Sequence, residues 1–161
     1  DTGNFKIGDT LTEGENLMFK GIPSFSPEMF RYIENADPMK FKQLSKGVDQ
    51  LMDEGVAQLF TQKSNGRKII GTVGVLQFEV IQYRLEHEYS ALCRYEPINL
   101  YKACWIESTN KEQLDDFRKR KYNNLAVDKH GREVFLADSP YSLQMAQDKF
   151  TDIKFHFTSE F

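Results

Sequence analysis

The chain has 161 residues and a net charge of −3, with 40% hydrophobic and 13% aromatic residues. That composition fits one medium or two small packed domains and excludes a disordered chain. It also excludes nucleic-acid binding driven by whole-chain charge, and no apolar run is long enough to span a membrane.

Residues 1–23 hold two short strand-like runs, FKIGDTL and NLMFKGI, the second stopping at Pro23. Two strands alone are marginal in water. This segment therefore reads as the tail of a neighbouring domain, and a chain starting at Asp1 as a piece of a longer protein. A strand is expected from about Ser26 to Ile33. Asp37 as N-cap and Pro38 at the first helical position then start a helix. Phe41, Leu44, Val48, Leu51 and Met52 fall on one arc of it and are expected inward. Gly55 ends it as a C′ residue. VAQLFTQ and RKIIGTV make a hairpin around Ser64-Asn65-Gly66.

Residues 69–85, IIGTVGVLQFEVIQYRL, run from a strand into a helix. The period changes from two to about 3.6 near Gly74, where a missing Cβ would permit a sharp turn or a close backbone approach. The helix carries two apolar stripes. Phe78, Ile81, Leu85 and Tyr89 form one, and Leu76, Val80 and Tyr83 the other. One stripe covers a sheet; the second is expected to pack on the 98–161 module. ALCRYEP closes this unit as a strand at Pro97.

The same element order then recurs. LYKACWIE is a strand, and Thr109 with Glu112 forms a capping box for a helix reaching about Lys121, with Leu114 and Phe117 inward. LAVD and EVFLA pair around His130-Gly131. Ser139-Pro140 starts a helix carrying Leu143, Ala146 and Phe150. IKFHFT is the last strand, with Ile153, Phe155 and Phe157 inward. The fold expected is α+β: two consecutive ferredoxin-like β-α-β-β-α-β units, residues 24–97 and 98–161, after the segment 1–23.

Chemistry is sparse. There is neither a GxxxxGK[ST] loop nor a GxGxxG fingerprint. GTVG has the letters of a GxxG nucleic-acid loop but no basic residue within it, and RKIIGTV lacks the aromatics of an RNA-recognition strand. His87, His130 and His156 have no metal-ligand spacing. Cys93 and Cys104 read as free core thiols, and Asp115-Asp116 as solvated carboxylates. Catalytic, cofactor and metal sites are therefore expected to be absent. Arg118, Lys119, Arg120 and Lys121 form the one charge run. It either complements a helix C-terminus or contacts RNA phosphate. A small-ligand regulatory module of paired units is a separate possibility.

IIGTVGVLQFEVIQYRL resembles the third-domain signature of translational GTPases, and more narrowly that of the class II, GTP-dependent peptide chain release factors of bacteria. FKIGDTLTEGE is similar to the end of the barrel domain in that family, which implies that 1–23 is the remnant of a preceding β-barrel domain, and GIPSFSPEMFRYIENADPMKFKQL is similar to the following segment. Residues Ala137 to Leu143 loosely match a further family segment. Elongation factor G, the near alternative, has GELHL where this chain has Gly74-Val75-Leu76-Gln77-Phe78. The resemblance implies a cytoplasmic, ribosome-dependent GTPase that promotes departure of class I release factors after peptide release. Its GTP, GDP and magnesium would sit in a G domain that this sequence does not include. The fragment, expected to be monomeric and off the membrane, would contact the small subunit and its ribosomal RNA. It would couple domains and reach the class I factor only through the ribosome.

Overall fold

The computed structural model describes residues 25–159. The expected barrel remnant, 1–23, lies outside them. Eight strands and four helices alternate along the described chain. They are β1 (Met29–Asn35), α1 (Phe41–Asp53), β2 (Gln58–Gln62), β3 (Lys68–Thr72), α2 (Leu76–Tyr89), β4 (Cys93–Pro97), β5 (Lys102–Glu107), α3 (Lys111–Arg120), β6 (Leu125–Asp128), β7 (Glu133–Ala137), α4 (Pro140–Lys149) and β8 (Lys154–His156). They form one α+β fold around a single sheet of order β4-β1-β3-β2-β6-β7-β5-β8. Every neighbouring pair in it is antiparallel.

Local chemistry sets the element ends. The Asp37 side chain accepts a hydrogen bond from the Met39 amide, and Pro38 opens a 3-10 turn that leads into α1. Gly55 lies beyond the end of α1 at φ 81°, a conformation that favours glycine. Ser139 caps α4 through the Ser142 amide. The cap of α3 is Asn110, which accepts from the Gln113 amide, one residue after the expected Thr109. Both side chains can do this work; the register of the turn chose the second.

The four helices share one face of the sheet. Leu59 and Ile70 are cross-strand partners in the core under α1 and α2, while Leu125 and Phe135 are partners in the core under α3 and α4. Thr61 lies two residues from Leu59 and Val127 two from Leu125, and those two stand opposite each other across β2 and β6. With a side-chain period of two, both cores are on the same side. Phe78, Ile81 and Leu85 of α2 are fully buried in the first core. Each contributes about 1.5–3 kcal/mol of transfer energy. Phe41, expected inward, is 65% exposed, because the helix proper begins there and its side chain falls at the rim of the arc. Phe157 also stands exposed, since β8 stops at His156.

A third core occupies the opposite face and belongs to both halves. Phe30, Phe60, Ile69, Ala103, Trp105, Ala126, Val134 and Leu136 are buried there, with Ile98 and Leu100 of the connecting segment packed against them. β2 and β5 are separated by β6 and β7, roughly 14 Å at ordinary strand spacing. The rings of Phe60 and Trp105 nevertheless approach to 5.8 Å, leaning over the smaller Ala126 and Val134. The Trp105 indole N–H donates to the Asp128 carboxylate at 2.9 Å.

The joint between the halves is therefore not where the sequence pattern put it. Leu76, Val80 and Tyr83 are 67, 38 and 63% exposed and do not pack on the second half. β2 and β6 zip the halves edge to edge through Phe60↔Asp128, Thr61↔Val127 and Gln62↔Ala126. Backbone hydrogen bonding and the third core already supply a joint, so α2 keeps its second stripe outward.

Candidate functional site

The charge run closes α3. Phe117, fully buried, anchors the last turn against the rings of Phe135, Phe150 and Phe155, all edge-on at 5.0–5.8 Å. With Phe117 inward, the next four residues fan around the helix end, and they divide into two kinds.

Arg118 turns back to the protein. Its guanidinium donates to both carboxylate oxygens of Glu133 on β7, with contacts of 2.6–3.1 Å, and to Asp115 at 3.1 Å. Glu133 also accepts from Lys63 at 2.7 Å, just past the end of β2. The triad spans the joint, with Lys63 from the first half and Glu133 and Arg118 from the second. The hydrogen bonds from Arg118, then Lys63, hold the Glu133 carboxyl below its usual range against a desolvation cost. The same contact raises Arg118. Arg120 pairs one turn back with Asp116 at 2.9 Å. Lys119 is exposed and Lys121 half-buried, and among the described residues neither has an ion pair. Thus the four cations are not one site. Arg118 is held by Glu133 and Arg120 is neutralised by Asp116, which leaves Lys119 and Lys121 toward solvent.

Two tyrosines stand at the same end of the sheet as these lysines. Tyr122 opens the 3-10 turn Tyr122–Asn124 and is half exposed, its hydroxyl donating to the Lys63 carbonyl at 3.2 Å. Tyr141 lies in the first turn of α4 and is 73% exposed. The Asn124 amide binds the Leu136 carbonyl at 2.9 Å and also the Asp138 carboxylate, so the chain after Tyr122 is tied to the loop before Tyr141. Adjacency to the run could have flagged Tyr122. Tyr141 comes to this end of the sheet through the β6–β7 pairing, and in the sequence it stands only within the loose family match of Ala137 to Leu143.

Other regions offer little chemistry. Burial pushes the Cys93 thiol up and the Cys104 thiol to about 12, so neither is a ready nucleophile. Asp115 and Asp116 serve as arginine partners. His87 lies against the Tyr83 ring at 4.1 Å, and His156 contacts Glu107 at 2.8 Å. Among the described residues no group of three metal-ligating side chains gathers, and no helix is long and apolar enough to cross a membrane. A cavity of about 220 Å³ opens beneath Phe41, floored by Ile33, Leu44, Val48 and Leu59. Its rim carries the polar side chains of Asn35, Ser45, Asp49 and Lys68.

At the level of whole sequences, residues 19–147 match the family described as class II release factor RF3, C-terminal domain. Among solved structures, a crystal structure of a protein from Thermus thermophilus aligns over 61% of this chain and 17% of that one, at 16% identity and a TM-score of 0.42. The matched part thus spans under a fifth of that protein's length.

Proposed function

The chain belongs to the family of class II release factor RF3 C-terminal domains, and from that membership we propose that it is the ribosome-contacting arm of a GTPase acting in translation termination. The intact protein would bind GTP with magnesium through a G domain elsewhere in its sequence. It would drive class I release factors off the ribosome after peptide release. The lever is differential affinity: a form that binds one ribosome state better than another shifts the ribosome toward it, and a ligand favouring the other state leaves. In this reading the chain itself neither binds nor hydrolyses GTP. Its partners are the small subunit and ribosomal RNA, and its compartment is the cytoplasm.

The observation that carries this reading is the family match, which covers all the described elements through most of α4. The fold supports it. We take each half as a ferredoxin-like unit, because both run β-α-β-β-α-β and their strands lie in the mirrored orders β4-β1-β3-β2 and β6-β7-β5-β8. Joined by β2–β6, the third core and the Lys63–Glu133–Arg118 triad, the units suit an arm that passes a displacement along without bending.

The test uses ribosomes that have released their peptide and still hold a fluorescent class I release factor. Intact protein with GTP is expected to speed that factor's departure, and deletion of residues 25–159 to abolish the effect. Equal departure rates with and without the intact protein would reject the reading. Nucleotide titration of the 161-residue chain is expected to show no GTP binding.

A further inference from the structure

We propose that Lys119, Lys121, Tyr122 and Tyr141 form a docking platform for unpaired RNA, in which the cations meet phosphates and the two rings stack on bases. The inference rests on the ribosome-contact reading above and names the surface and the RNA class.

Three observations carry it. First, Lys119 and Lys121 are the cations of the run without an ion pair among the described residues, while Arg118 is committed to Glu133. An RNA contact therefore centres on the end of α3 beyond Arg118. Second, two exposed rings stand at the same end of the sheet. The Tyr122 hydroxyl is fixed on the Lys63 carbonyl, so its ring is held with half of its surface open. Tyr141 projects from the capped first turn of α4, and the Asn124 contacts to Leu136 and Asp138 tie the two segments together. A ring already held in place loses little freedom when a base stacks on it. Third, the combination selects the ligand. Stacking on aromatic side chains needs bases that are not already stacked, which single strands, loops and bulges provide and duplexes do not. Lysines alone would fit any phosphate backbone, whereas lysines beside two open tyrosines fit one whose bases are splayed.

The probes are a ten-nucleotide unpaired RNA of mixed sequence and a hairpin of the same composition whose strands are joined by a non-nucleotide linker, so that every base is paired; both are titrated against the 161-residue chain over a range of salt. Thermal unfolding confirms that each variant remains folded. The unpaired RNA is expected to bind more tightly than the hairpin. Tyr141→Ala should weaken it by about tenfold, and Tyr141→Phe should restore it, because the ring and not the hydroxyl is used. Lys119→Ala with Lys121→Ala should lower the slope of log affinity against log salt by about 1.4, from roughly 0.7 per phosphate contact. Equal binding of the hairpin, an unchanged affinity in Tyr141→Ala, or no RNA binding at low salt would each overturn the platform. The last outcome would point to a protein partner for this surface.

A ribosome arm separates this inference from the function it rests on. Intact protein carrying Lys119→Ala, Lys121→Ala and Tyr141→Ala that still displaces the class I factor at the unaltered rate removes the platform and leaves the function standing. Unaltered protein that fails to displace the factor, yet binds the unpaired RNA in a Tyr141-dependent way, removes the function and leaves the platform.

Discussion

Glu133 holds one carboxylate between two cations from different halves of the chain. Removing its charge leaves Arg118 and Lys63 facing each other across the joint, so Glu133→Gln is expected to cost about 2 kcal/mol in chemical denaturation. The pH dependence has a definite sign. The folded-state pKa of Glu133 lies below its unfolded value, so its contribution is complete above the ordinary carboxylate pKa, about 4.3. It fades as pH falls below that value and through the depressed one. The gap in stability between the natural chain and Glu133→Gln should therefore be full at pH 7 and close on acidification below about pH 4. The two glycines of the strand-helix junction separate just as clearly. A Cβ on Gly71 would lie 3.0 Å from both Phe60 and Pro27 and 3.3 Å from Phe30, inside the shared core. Gly71→Ala is expected to destabilise by about 1–3 kcal/mol. A Cβ on Gly74 would meet only the Gln77 side chain at 3.4 Å, and its φ is not in the left-handed region. Gly74→Ala should stay within about 0.5 kcal/mol of the parent. The sequence marks both positions as glycine, but the crowding at Gly71 comes from Phe60, Pro27 and Phe30, which lie outside the junction.

At the scale of an element, α2 separates what periodicity can and cannot tell. The spacing of Phe78, Ile81 and Leu85 identified the buried stripe, and all three are fully buried. The spacing of Leu76, Val80 and Tyr83 identified a second apolar stripe equally well, yet that stripe is exposed. Periodicity reports which faces are apolar, whereas the covering body depends on how strands pair. Substituting the two groups should expose the difference. Leu76→Ser with Tyr83→Ser is expected to change stability by under about 1 kcal/mol, and Phe78→Ala alone to cost about 3–5 kcal/mol, both read from denaturant melts. The helix start written by Ser139-Pro140 was legible to the residue, whereas Asp37-Pro38 opens a 3-10 turn and α1 itself begins at Phe41. Where two capping residues compete, as at Thr109 and Asn110, local sequence does not decide. Arg118 is a similar case at the candidate site. Its helix neighbour Asp115 is visible from spacing, but Glu133, its main partner, lies on another element.

For the molecule as a whole, the third core makes the two units one body. Phe60 contributes to it from β2 and contacts Phe30 of its own half and Trp105 of the other, at 6.3 and 5.8 Å. The described region should therefore unfold in one transition, with calorimetric and van't Hoff enthalpies in agreement. Phe60→Ala should lower the midpoint of that transition, at a cost of about 3–5 kcal/mol, without splitting it in two. Two separated transitions would show that the halves are independent. The repeated order of elements was legible in the sequence, but the fusion was not, because β2 and β6 look like ordinary hairpin strands and nothing in either states that its outer edge will be taken. That edge pairing has a consequence for association. Two separate four-stranded sheets would present four open edges, and an open edge is a template on which further chains can add. Here β2 and β6 cover each other, and the two edges left among the described residues are guarded in familiar ways: β4 ends in Pro97, and β8 is only three residues long. Separating the halves between Pro97 and Lys102 would uncover β2 and β6 together with the apolar face beside them, so the pieces are expected to be more prone to fibre growth than the intact chain.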